Sequence, residues 1–358
     1  MSSVADAAKN GIGATGFAGQ PLDGEPAARV LVAGASGFAG ALAAQILWRH
    51  PRFELLDVTS RSDAGTRLDR LYPRYRVPLE LTELVIDEAE GCDAAIVAYP
   101  HGAAAPTVAG LRGLGLQVVD LSADFRLRDP ELYREWYGEL GEPTLLPAAV
   151  YGLPELYRSE IASASLVANP GCYPTATILA LAPLAEAGLI ADVVVDAKSG
   201  VSGAGRGGGD RLHFVTLDEN ASPYGTDGHR HEPEIGQELA ALAGGREPSL
   251  TFVPHLLPLD QGELVSCYVT PVRDVDAEEL ARLYAGRYGS EPFVELVDAP
   301  PGVRDVRDTN LCRIHATKHR GGRILVFAAI DNLWKGAASQ AVQNLNLMYG
   351  LPEGEGIS

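Results

Sequence analysis

Residues 34–40 read Gly34-Ala35-Ser36-Gly37-Phe38-Ala39-Gly40 and lie between two patterned segments. Before them, residues 30–33 form a short apolar run that is typical of a parallel strand buried on both faces. After them, residues 41–48 have the apolar spacing of a helix. A glycine turn in this setting lets the backbone approach a pyrophosphate, and the helix N-terminus presents N–H groups to the phosphate oxygens. The residues predicted to contact a dinucleotide are Gly34, Ser36, Gly37, Phe38 and Gly40.

The segments that follow continue the alternation of strands and helices. Further strands are predicted at residues 53–59, 94–98 and 117–121, and a helix is predicted at residues 103–114. Strands that alternate with helices are typical of βαβ units. We therefore predict an α/β protein whose first domain is a Rossmann-type, doubly wound parallel sheet.

A second region, beginning near Gly171, has longer strands and fewer helices between them. Its predicted elements are strands at residues 192–197, 249–257, 263–271 and 323–330, and helices at residues 175–187, 233–243 and 276–288. This pattern favours an α+β domain whose sheet has one open face. The last pattern, residues 333–348, is helical, and we expect it to return to the first domain.

The domain boundaries are placed where these patterns change. A length of 358 residues favours two domains. The predicted parts are a flexible extension at 1–27, a dinucleotide-binding domain at 28–170, a catalytic and substrate domain at 171–331, and a C-terminal helix at 332–358. A near copy of the glycine loop stands at residues 13–19, but no strand precedes it and Pro21 prevents a continuing helix. We therefore expect no nucleotide there.

Charge and cysteine usage exclude several classes of partner. The chain has 29 basic and 47 acidic residues, a net charge of −18, which argues against nucleic acid and anionic membranes. The apolar run at 175–185 is too short to span a bilayer, and residues 1–10 show no secretory signal. Four widely spaced cysteines argue against a disulfide framework and suit a reducing cytoplasm. We therefore expect a cytoplasmic protein.

The end of the second predicted strand indicates which dinucleotide binds. An NAD-binding protein places Asp or Glu there to hold the ribose 2′-hydroxyl, whereas this chain has Thr59-Ser60-Arg61-Ser62. Asp57 is close but falls inside the strand pattern. An arginine beside hydroxyls suits a 2′-phosphate, since guanidinium pairs with phosphate in a bidentate fork. The sequence predicts NADP, bound in part by Ser60 and Arg61, and the alternative is a surface arginine without that role.

A candidate nucleophile lies in the segment Asn169-Pro170-Gly171-Cys172-Tyr173-Pro174-Thr175. Pro-Gly enforces a turn, and Cys172 stands just before a predicted helix. A thiol at a helix N-terminus has its thiolate favoured by the helix dipole, which makes it a nucleophile near neutral pH. The alternative is a small buried hydrophobic residue, the interpretation that we give to the other three cysteines.

Two histidines could move the protons that such a nucleophile requires. His229 and His231 stand directly before the helix predicted at 233–243. Histidines two residues apart also bind metal, but no third ligand is near in sequence, so we expect no metal. Pro100 and His101 follow a strand on the cofactor side, and we predict that they line the nicotinamide pocket.

Two further segments have the composition of anion sites. Residues 198–206 combine glycines with Lys198, and residues 120–126 carry Ser122 and Arg126 after a strand end. We predict substrate or phosphate contacts from Ser122, Arg126 and Lys198. A flexible loop and an ordinary loop ion pair are the alternatives.

Together these motifs resemble the N-acetyl-γ-glutamyl-phosphate reductases, the arginine-biosynthesis family of the semialdehyde dehydrogenase group. The resemblance runs from about residue 29 to residue 349. The segments that carry it are 34–40, 118–127, 151–156, 169–175, 199–208, 229–235 and 331–343.

The resemblance implies a reaction and a role for each matching residue. Cys172 would attack an acyl phosphate and expel phosphate to give a thioester, which hydride from NADPH then reduces. His231 would be the acid/base, with His229 as the fallback. The implied cofactor contacts near the nicotinamide are Ser202, Gly203, Gly205 and Asn332, with Lys335 beside them. The resemblance also implies a small-molecule substrate, a cytosolic location and a homo-oligomer, either dimer or tetramer.

Three other functions share part of this pattern. A sister reductase of lysine biosynthesis acts on an aminoadipyl phosphate held by an acidic carrier, and a net charge of −18 disfavours that partner. A cysteine hydrolase with a structural glycine loop would share Cys172 and a histidine but would not need Arg61. A non-catalytic NADP-binding regulator would keep the loop and tolerate the loss of Cys172.

Overall fold

The computed structural model describes residues 22–207 and 209–357, so the second glycine heptapeptide at 13–19 lies outside the described residues. The described chain divides into two compact units, residues 22–170 with 337–357 and residues 171–336. Only residues 22–27 of the predicted extension are described. Within them, the N–H groups of Asp23 and Ala27 donate to the carbonyls of Pro51 and Arg52 at 2.9 and 2.7 Å.

The strands of the described residues form two sheets. They are β1 (Ala28–Ala33), β2 (Phe53–Thr59), β3 (Ala94–Val97), β4 (Gln117–Asp120), β5 (Ala149–Tyr151), β6 (Leu166–Ala168), β7 (Ile190–Ser199), β8 (Ser222–Pro223), β9 (Ser249–Leu256), β10 (Glu263–Pro271), β11 (Val294–Leu296), β12 (Cys312–Lys318) and β13 (Ile324–Ile330).

The α-helices vary from one turn to four. They are α1 (Phe38–Arg49), α2 (Leu68–Leu71), α3 (Ala105–Gly113), α4 (Pro130–Tyr137), α5 (Pro154–Ala162), α6 (Cys172–Glu186), α7 (Phe214–Leu217), α8 (Glu232–Leu242), α9 (Ala277–Tyr288) and α10 (Ser339–Met348). In the described part of the chain, no helix has both the length and the apolar character needed to cross a bilayer.

The first unit is built on a six-stranded sheet of order β2-β1-β3-β4-β6-β5, and all its pairings are parallel. β3 is buried along its whole length, which explains its continuous apolar sequence. α10 packs against α1 and α5, so the C-terminal helix belongs to this unit. The predicted doubly wound parallel sheet is confirmed.

The second unit is built on a seven-stranded mixed sheet of order β11-β12-β13-β10-β7-β9-β8. The helix α6 packs on β10 and β13, and α9 packs on β12. Along β7 buried residues alternate with half-buried ones, so only one face is fully covered. The predicted α+β domain is confirmed.

Local differences from the sequence-based expectations have simple causes. The short strands β5, β6 and β11 were not predicted, because three residues give too little pattern to recognise. The strand β12 is not predicted either, because its sequence is largely polar. Cys172 is the first residue of α6 rather than a residue before the helix. Residues 334–338 form a π-helical turn that precedes α10 instead of continuing it.

The turn between β1 and α1 depends on a contact that only glycine permits. Gly34 has φ of +89°, a conformation that residues with a side chain rarely adopt. A Cβ atom at Gly40 would overlap the Gly34 carbonyl group and would lie 2.9 Å from its carbon. The first turn of α1 therefore rests directly on the backbone of the loop, which is the close packing expected of the third glycine in a dinucleotide fingerprint.

Gly40→Ala is expected to lower the stability of the protein by about 1–3 kcal/mol, because the methyl group must displace backbone rather than a flexible side chain. Gly113→Ala is the matched control, since Gly113 ends α3 and a Cβ atom there meets nothing within 4 Å. Urea unfolding curves of both variants measure the effect. Equal midpoints for Gly40→Ala and wild type would contradict the close packing.

Candidate active site

The loop that follows β1 offers backbone donors to an anion. Gly37 is the N-cap residue of α1 and, being glycine, supplies no side-chain cap. The N–H groups of Gly34 and Ala35 donate to the carbonyl of Thr59 at 3.0 and 2.9 Å, which fixes the loop to the end of β2. The first-turn N–H groups of α1 are therefore oriented by the fold and not capped by a side chain, as a pyrophosphate requires.

Serine side chains connect this loop to the segment after β2. The hydroxyls of Ser36 and Ser60 lie 2.7 Å apart, and Ser60 Oγ also accepts from the N–H groups of Ser62 and Asp63. Ser60 is only 1% exposed. The hydrogen bonds of Ser60 therefore set the shape of the loop around Arg61. Phe38, the first residue of α1, packs edge-on against Tyr72.

Arg61 lies at the rim of a cleft of about 470 Å³. Its guanidinium carbon stands 4.8 Å from the ring centroid of Tyr99, a cation–π distance that holds an exposed arginine in place. Apolar side chains of Leu84, Ile86 and Pro106 also line the cleft. Glu83 and Thr107 complete the lining. A flat aromatic base fits the apolar walls, and Arg61 is the one cation of the lining that a neighbouring phosphate could contact.

Asp57 does not take the place of a ribose-binding carboxylate. A register shift in β1 pairs Leu31 with Asp57, inside the strand. Its Oδ1 accepts from its neighbour's N–H at 2.8 Å, and the Thr82 hydroxyl donates to it at 3.3 Å. Burial raises the pKa of Asp57. The carboxylate is therefore engaged within the strand.

Pro100 and His101 follow β3 and are exposed. The loop is held from beneath by Asp124, which accepts from the N–H groups of Gly102 at 2.6 Å and Ala105 at 3.0 Å. The His101 ring lies 5.6 Å from that of Tyr137. These contacts bring the two predicted residues to the carboxyl end of the parallel sheet, where such folds bind ligands.

The segment after β4 is buried and internally bonded. Ser122 donates its hydroxyl to Asp120 at 2.6 Å, and burial raises the pKa of Asp120 to about 7. Arg126 is 8% exposed, and donates through Nε to the carbonyl of Asn169 at 2.8 Å and through an Nη to that of Leu121 at 2.7 Å. Ser122 and Arg126 are therefore both hydrogen-bonded within the protein, whether or not they also contact a ligand.

In the second unit, Cys172 opens a helix whose residues 173–185 are all buried. The preceding residue, Gly171, donates its N–H to the buried Glu234 carboxylate at 2.9 Å. A Cβ atom at Gly336 would lie 2.8 Å from Cys172 Cβ, so the backbone of the π-helical turn packs against the cysteine. The thiol is half-buried and fixed at the positive end of a buried helix dipole.

His229 and His231 lie together beside this helix, with ring centroids 4.9 Å apart. Tyr173 contacts both, at 6.0 Å from His229 and 5.8 Å from His231. His229 Nδ1 accepts the backbone N–H of His231 at 3.2 Å. Burial, and then the charge of Arg230, lower the pKa of His229 to about 4. His229 is therefore neutral at pH 7, with its proton on Nε2.

The structure also brings together most of the residues implied for the nicotinamide end. Asn332 donates from Nδ2 to the Ser202 hydroxyl at 3.0 Å and accepts the N–H of Gly262 at 2.7 Å. A Cβ atom at Gly203 would lie 3.6 Å from the same amide nitrogen. Gly205 ends this turn with φ of +80°. These four residues therefore lie together within the second unit.

The two lysines are placed differently. Lys198 lies on β7, where Nζ makes an ion pair with Asp196 at 2.7 Å and donates to the Ser266 hydroxyl at 3.3 Å. Lys335 is fully buried, with Nζ 5.7 Å from the ring centroid of Phe293. A phosphate that bound Lys198 would therefore have to compete with the Asp196 carboxylate for the ammonium group.

Three polar residues near Cys172 were not predicted from the sequence. They are Glu234, Glu263 and Tyr224. Tyr224 donates to the hydroxyl of Tyr173 at 3.3 Å, and Glu263 is 0% exposed. A glutamate at the start of an otherwise apolar strand pattern is the one signal that could have drawn attention to Glu263, since such a position is expected to be buried.

Comparison with known families agrees with this geometry. A model of the semialdehyde dehydrogenase NAD-binding domain matches residues 29–164, and a model of the semialdehyde dehydrogenase dimerisation domain matches residues 172–332. The N-acetyl-gamma-glutamyl-phosphate reductase of Moorella thermoacetica is 49% identical over 333 residues, 90% of this chain and 95% of the relative. The chain belongs to the N-acetyl-gamma-glutamyl-phosphate reductase family. The same-named protein of Halorhodospira halophila is 47% identical, over 91% of this chain and 96% of the relative.

Solved structures of the semialdehyde dehydrogenases share the fold. Aspartate semialdehyde dehydrogenase II of Vibrio cholerae has a TM-score of 0.69 at 19% identity, over 90% of this chain and 98% of that one. The NADP complex of the Candida albicans enzyme has a TM-score of 0.66 at 16% identity, with the same coverage. The predicted family and α/β fold are confirmed. The match to a dimerisation domain supports the predicted homo-oligomer, without giving the number of subunits.

The histidine pair gives a test of these electrostatics. His229 is expected to titrate near pH 4 rather than near 6.5, because burial disfavours its charged form. Replacing Arg230 with Ala should raise the midpoint only part of the way towards 6.5, because the charge of Arg230 lowers the pKa of His229 less than burial does. An NMR titration of the imidazole carbons measures both midpoints. A wild-type His229 midpoint above pH 6 would contradict the buried, neutral imidazole.

Proposed function

We propose that this protein reduces N-acetyl-γ-glutamyl phosphate with NADPH to N-acetylglutamate 5-semialdehyde and phosphate, a step of arginine biosynthesis. The observation that carries the proposal is a half-buried cysteine as the first residue of a buried helix, in a chain whose 45–49% identical relatives bear this enzyme's name. A thiolate in that position is a nucleophile suited to an acyl phosphate.

Cys172 attacks the acyl carbon, the carbon–oxygen bond to phosphate breaks, and a thioester forms on Sγ. NADPH, when bound, supplies the hydride that reduces this thioester. The hemithioacetal on Cys172 then collapses, giving the aldehyde and the thiolate. The rigid packing of Gly336 against Cys172 supports this role, because a nucleophile that is held in place pays little entropy on attack.

His231 is proposed as the acid/base that protonates and deprotonates the substrate oxygen. It is the N-cap residue of α8 and lies beside Tyr173, the residue that follows Cys172. His229 is less suited, because its Nδ1 is engaged by a backbone N–H and burial keeps its pKa near 4. A general acid works best when its pKa lies near the working pH.

In the first unit, the proposed cofactor contacts lie in the loops that follow β1, β2 and β3. The glycine loop and the N-terminus of α1 bind the pyrophosphate, Ser60 shapes the loop from which Arg61 binds the 2′-phosphate, and Pro100 with His101 lie at the nicotinamide end. Gly37 fits this role because it leaves the first turn of α1 without a side-chain cap. In the second unit, Ser202, Gly203, Gly205 and Asn332 are proposed to contact the nicotinamide.

Ser122 and Arg126 are proposed to bind the substrate phosphate. The orientation of Arg126 by the carbonyls of Leu121 and Asn169 supports this role, since a guanidinium fixed on two sides is preorganised for an anion. Lys198 stays a prediction of the same kind, and its ion pair with Asp196 weakens the case for it.

Location and assembly follow from the same proposal. We propose a cytoplasmic homo-oligomer, a dimer or a tetramer. The dimerisation domain matched at 172–332 supports self-association, and four cysteines without a disulfide among them suit a reducing compartment. The 29–164 and 172–332 domain boundaries also support a cofactor domain at 28–170 and a catalytic domain beyond it.

Phosphate-dependent reduction of NADP with N-acetylglutamate semialdehyde tests the activity. The expected kcat/KM exceeds that for aminoadipate semialdehyde roughly 10–200-fold, which is what one methylene in a fitted pocket is worth. Aspartate semialdehyde is the shorter analogue. Equal or better use of aminoadipate semialdehyde would favour the lysine-pathway alternative.

Cys172→Ala should keep less than about 1% of this activity while binding NADPH normally, because no thioester can form. Cys92→Ala is the control; burial raises the pKa of the Cys92 thiol to about 11, which keeps that thiol protonated. Steady-state rates and NADPH fluorescence titrations measure the two effects. Substantial activity in the alanine variant would exclude covalent catalysis at Cys172.

Arg61→Ala should raise the KM for NADPH by roughly 10–100-fold, the range of a hydrogen bond to a charged group, and leave that for NADH nearly unchanged. Arg70→Ala is the control, since Arg70 is exposed on the neighbouring helix α2 and does not line the cleft. Kinetics with both cofactors separate a 2′-phosphate contact from a structural role. Equal losses with NADPH and NADH would show the structural one.

A further inference from the structure

Tyr99 contacts two parts of the proposed cofactor site. The strands β2, β1 and β3 are neighbours in the parallel sheet, and Arg61, Gly34 and Tyr99 follow their carboxyl ends within two residues. A Cβ atom at Gly34 would lie 3.1 Å from Cδ1 of Tyr99, so the ring packs against the glycine loop. The guanidinium carbon of Arg61 lies over the same ring, 4.8 Å from its centroid. One side chain therefore connects the loop proposed for the pyrophosphate with the arginine proposed for the 2′-phosphate.

The core of the first unit fixes the Tyr99 ring. Tyr99 is 9% exposed and belongs to a cluster of buried apolar residues that includes Val97, Ala104 and Val108. A ring in a packed core has little freedom to turn, because turning would create a void or a clash. Arg61, in contrast, is exposed. The ring is therefore a rigid surface for a side chain that is otherwise in solvent.

The Tyr99 ring holds Arg61 without occupying its hydrogen-bond donors. Across residues 22–207 and 209–357, the Arg61 guanidinium makes no hydrogen bond and no ion pair, although Glu83 lines the same cleft. Arg67 is held differently, since its Nε and an Nη donate to Asp69 at 3.0 and 2.5 Å. Such an ion pair uses the donors that would bind a phosphate, whereas an aromatic face leaves all five N–H groups available.

We propose that Tyr99 is a positioning residue that sets the preference for NADPH over NADH. Its ring keeps the Arg61 guanidinium at the rim of the cleft, with the N–H donors directed to the 2′-phosphate instead of to a protein carboxylate. NADH has no 2′-phosphate, so its binding does not depend on this contact. The inference rests on the proposed function in one respect, the assignment of the 2′-phosphate to Arg61.

The test is titration of the full-length protein with NADPH and with NADH, followed by nucleotide fluorescence. Tyr99→Leu removes the aromatic face and should raise the Kd for NADPH about 2- to 5-fold, the range of an exposed cation–π contact, and that for NADH less than about 1.5-fold. Tyr99→Phe should bind both nucleotides as wild type does, because its ring also attracts a cation. The Tyr99 hydroxyl makes no hydrogen bond within the described residues, so its loss should change nothing.

A double-mutant cycle separates this role from a general effect on the fold. In an Arg61→Ala background, Tyr99→Leu should weaken NADPH binding no further, because both changes remove the same contact. Tyr75→Leu is the matched control, since the Arg74 guanidinium carbon lies 4.9 Å from the Tyr75 ring centroid and neither residue lines the cleft. Its ratio of the NADH and NADPH dissociation constants should equal that of wild type.

Equal losses with both nucleotides in Tyr99→Leu, or an unchanged ratio, would overturn the proposal. If that variant does not fold, phenylalanines with increasing numbers of fluorine atoms at position 99 replace it. Fluorine weakens the negative face of the ring at nearly constant shape, so NADPH affinity should fall along the series while NADH affinity stays constant. A flat series would overturn the proposal as well.

The titrations also distinguish this inference from the function on which it rests. If Arg61→Ala changes the ratio of dissociation constants and the Tyr99 variants do not, only the role of Tyr99 is wrong. If Arg61→Ala leaves the ratio unchanged, the 2′-phosphate assignment is wrong and the inference falls with it. Nucleotide binding needs no acyl phosphate, so a failure of the proposed reaction would appear only in turnover.

Discussion

The position of Cys172 depends on the burial of the helix that it begins. Every residue of α6 from 173 to 185 is buried, and the helix packs on β10 and β13 as well as on α8 and α9. Moving its N-terminus would expose this apolar surface, at about 25 cal/mol for each Å². The thiol therefore has a fixed place, and the dipole of a helix with no competing acidic residue in its first turn acts on it.

In the first unit, the start of α1 depends on close backbone packing that leaves no room for a side chain. Gly34 and Gly40 allow the start of α1 to rest on the loop backbone, and the N–H groups of that turn then face outwards for an anion. Serine hydroxyls hold the following loop, and the Tyr99 ring holds Arg61. The proposed cofactor site thus consists of backbone N–H groups and one arginine, while the overall net charge of the chain is −18.

The centre of the second unit is unusual in how much acid it buries. Glu234 accepts the Gly171 N–H, Asp331 accepts the N–H groups of Leu333 and Asp308, and Glu263 is fully buried at the start of β10. The first two carboxylates are stabilised by backbone donors, so each fixes a segment next to Cys172. Burial raises the pKa of Glu263 to about 8, so this third carboxyl group is mostly protonated at pH 7.

The sequence by itself determined the strand–turn–helix character of residues 28–49, the class of both domains and the identity of Cys172, Arg61 and the histidine pair as candidates. These features are local: a glycine turn, an apolar period or a thiol before a helix is read from adjacent residues. Tertiary structure alone decided that His229 is neutral, that Lys198 is paired with Asp196, and that Glu234 accepts the N–H of Gly171 across 63 positions of the chain. Hydrogen-bond partners and burial set protonation, and both come from residues that are distant in sequence and that no local pattern can bring together.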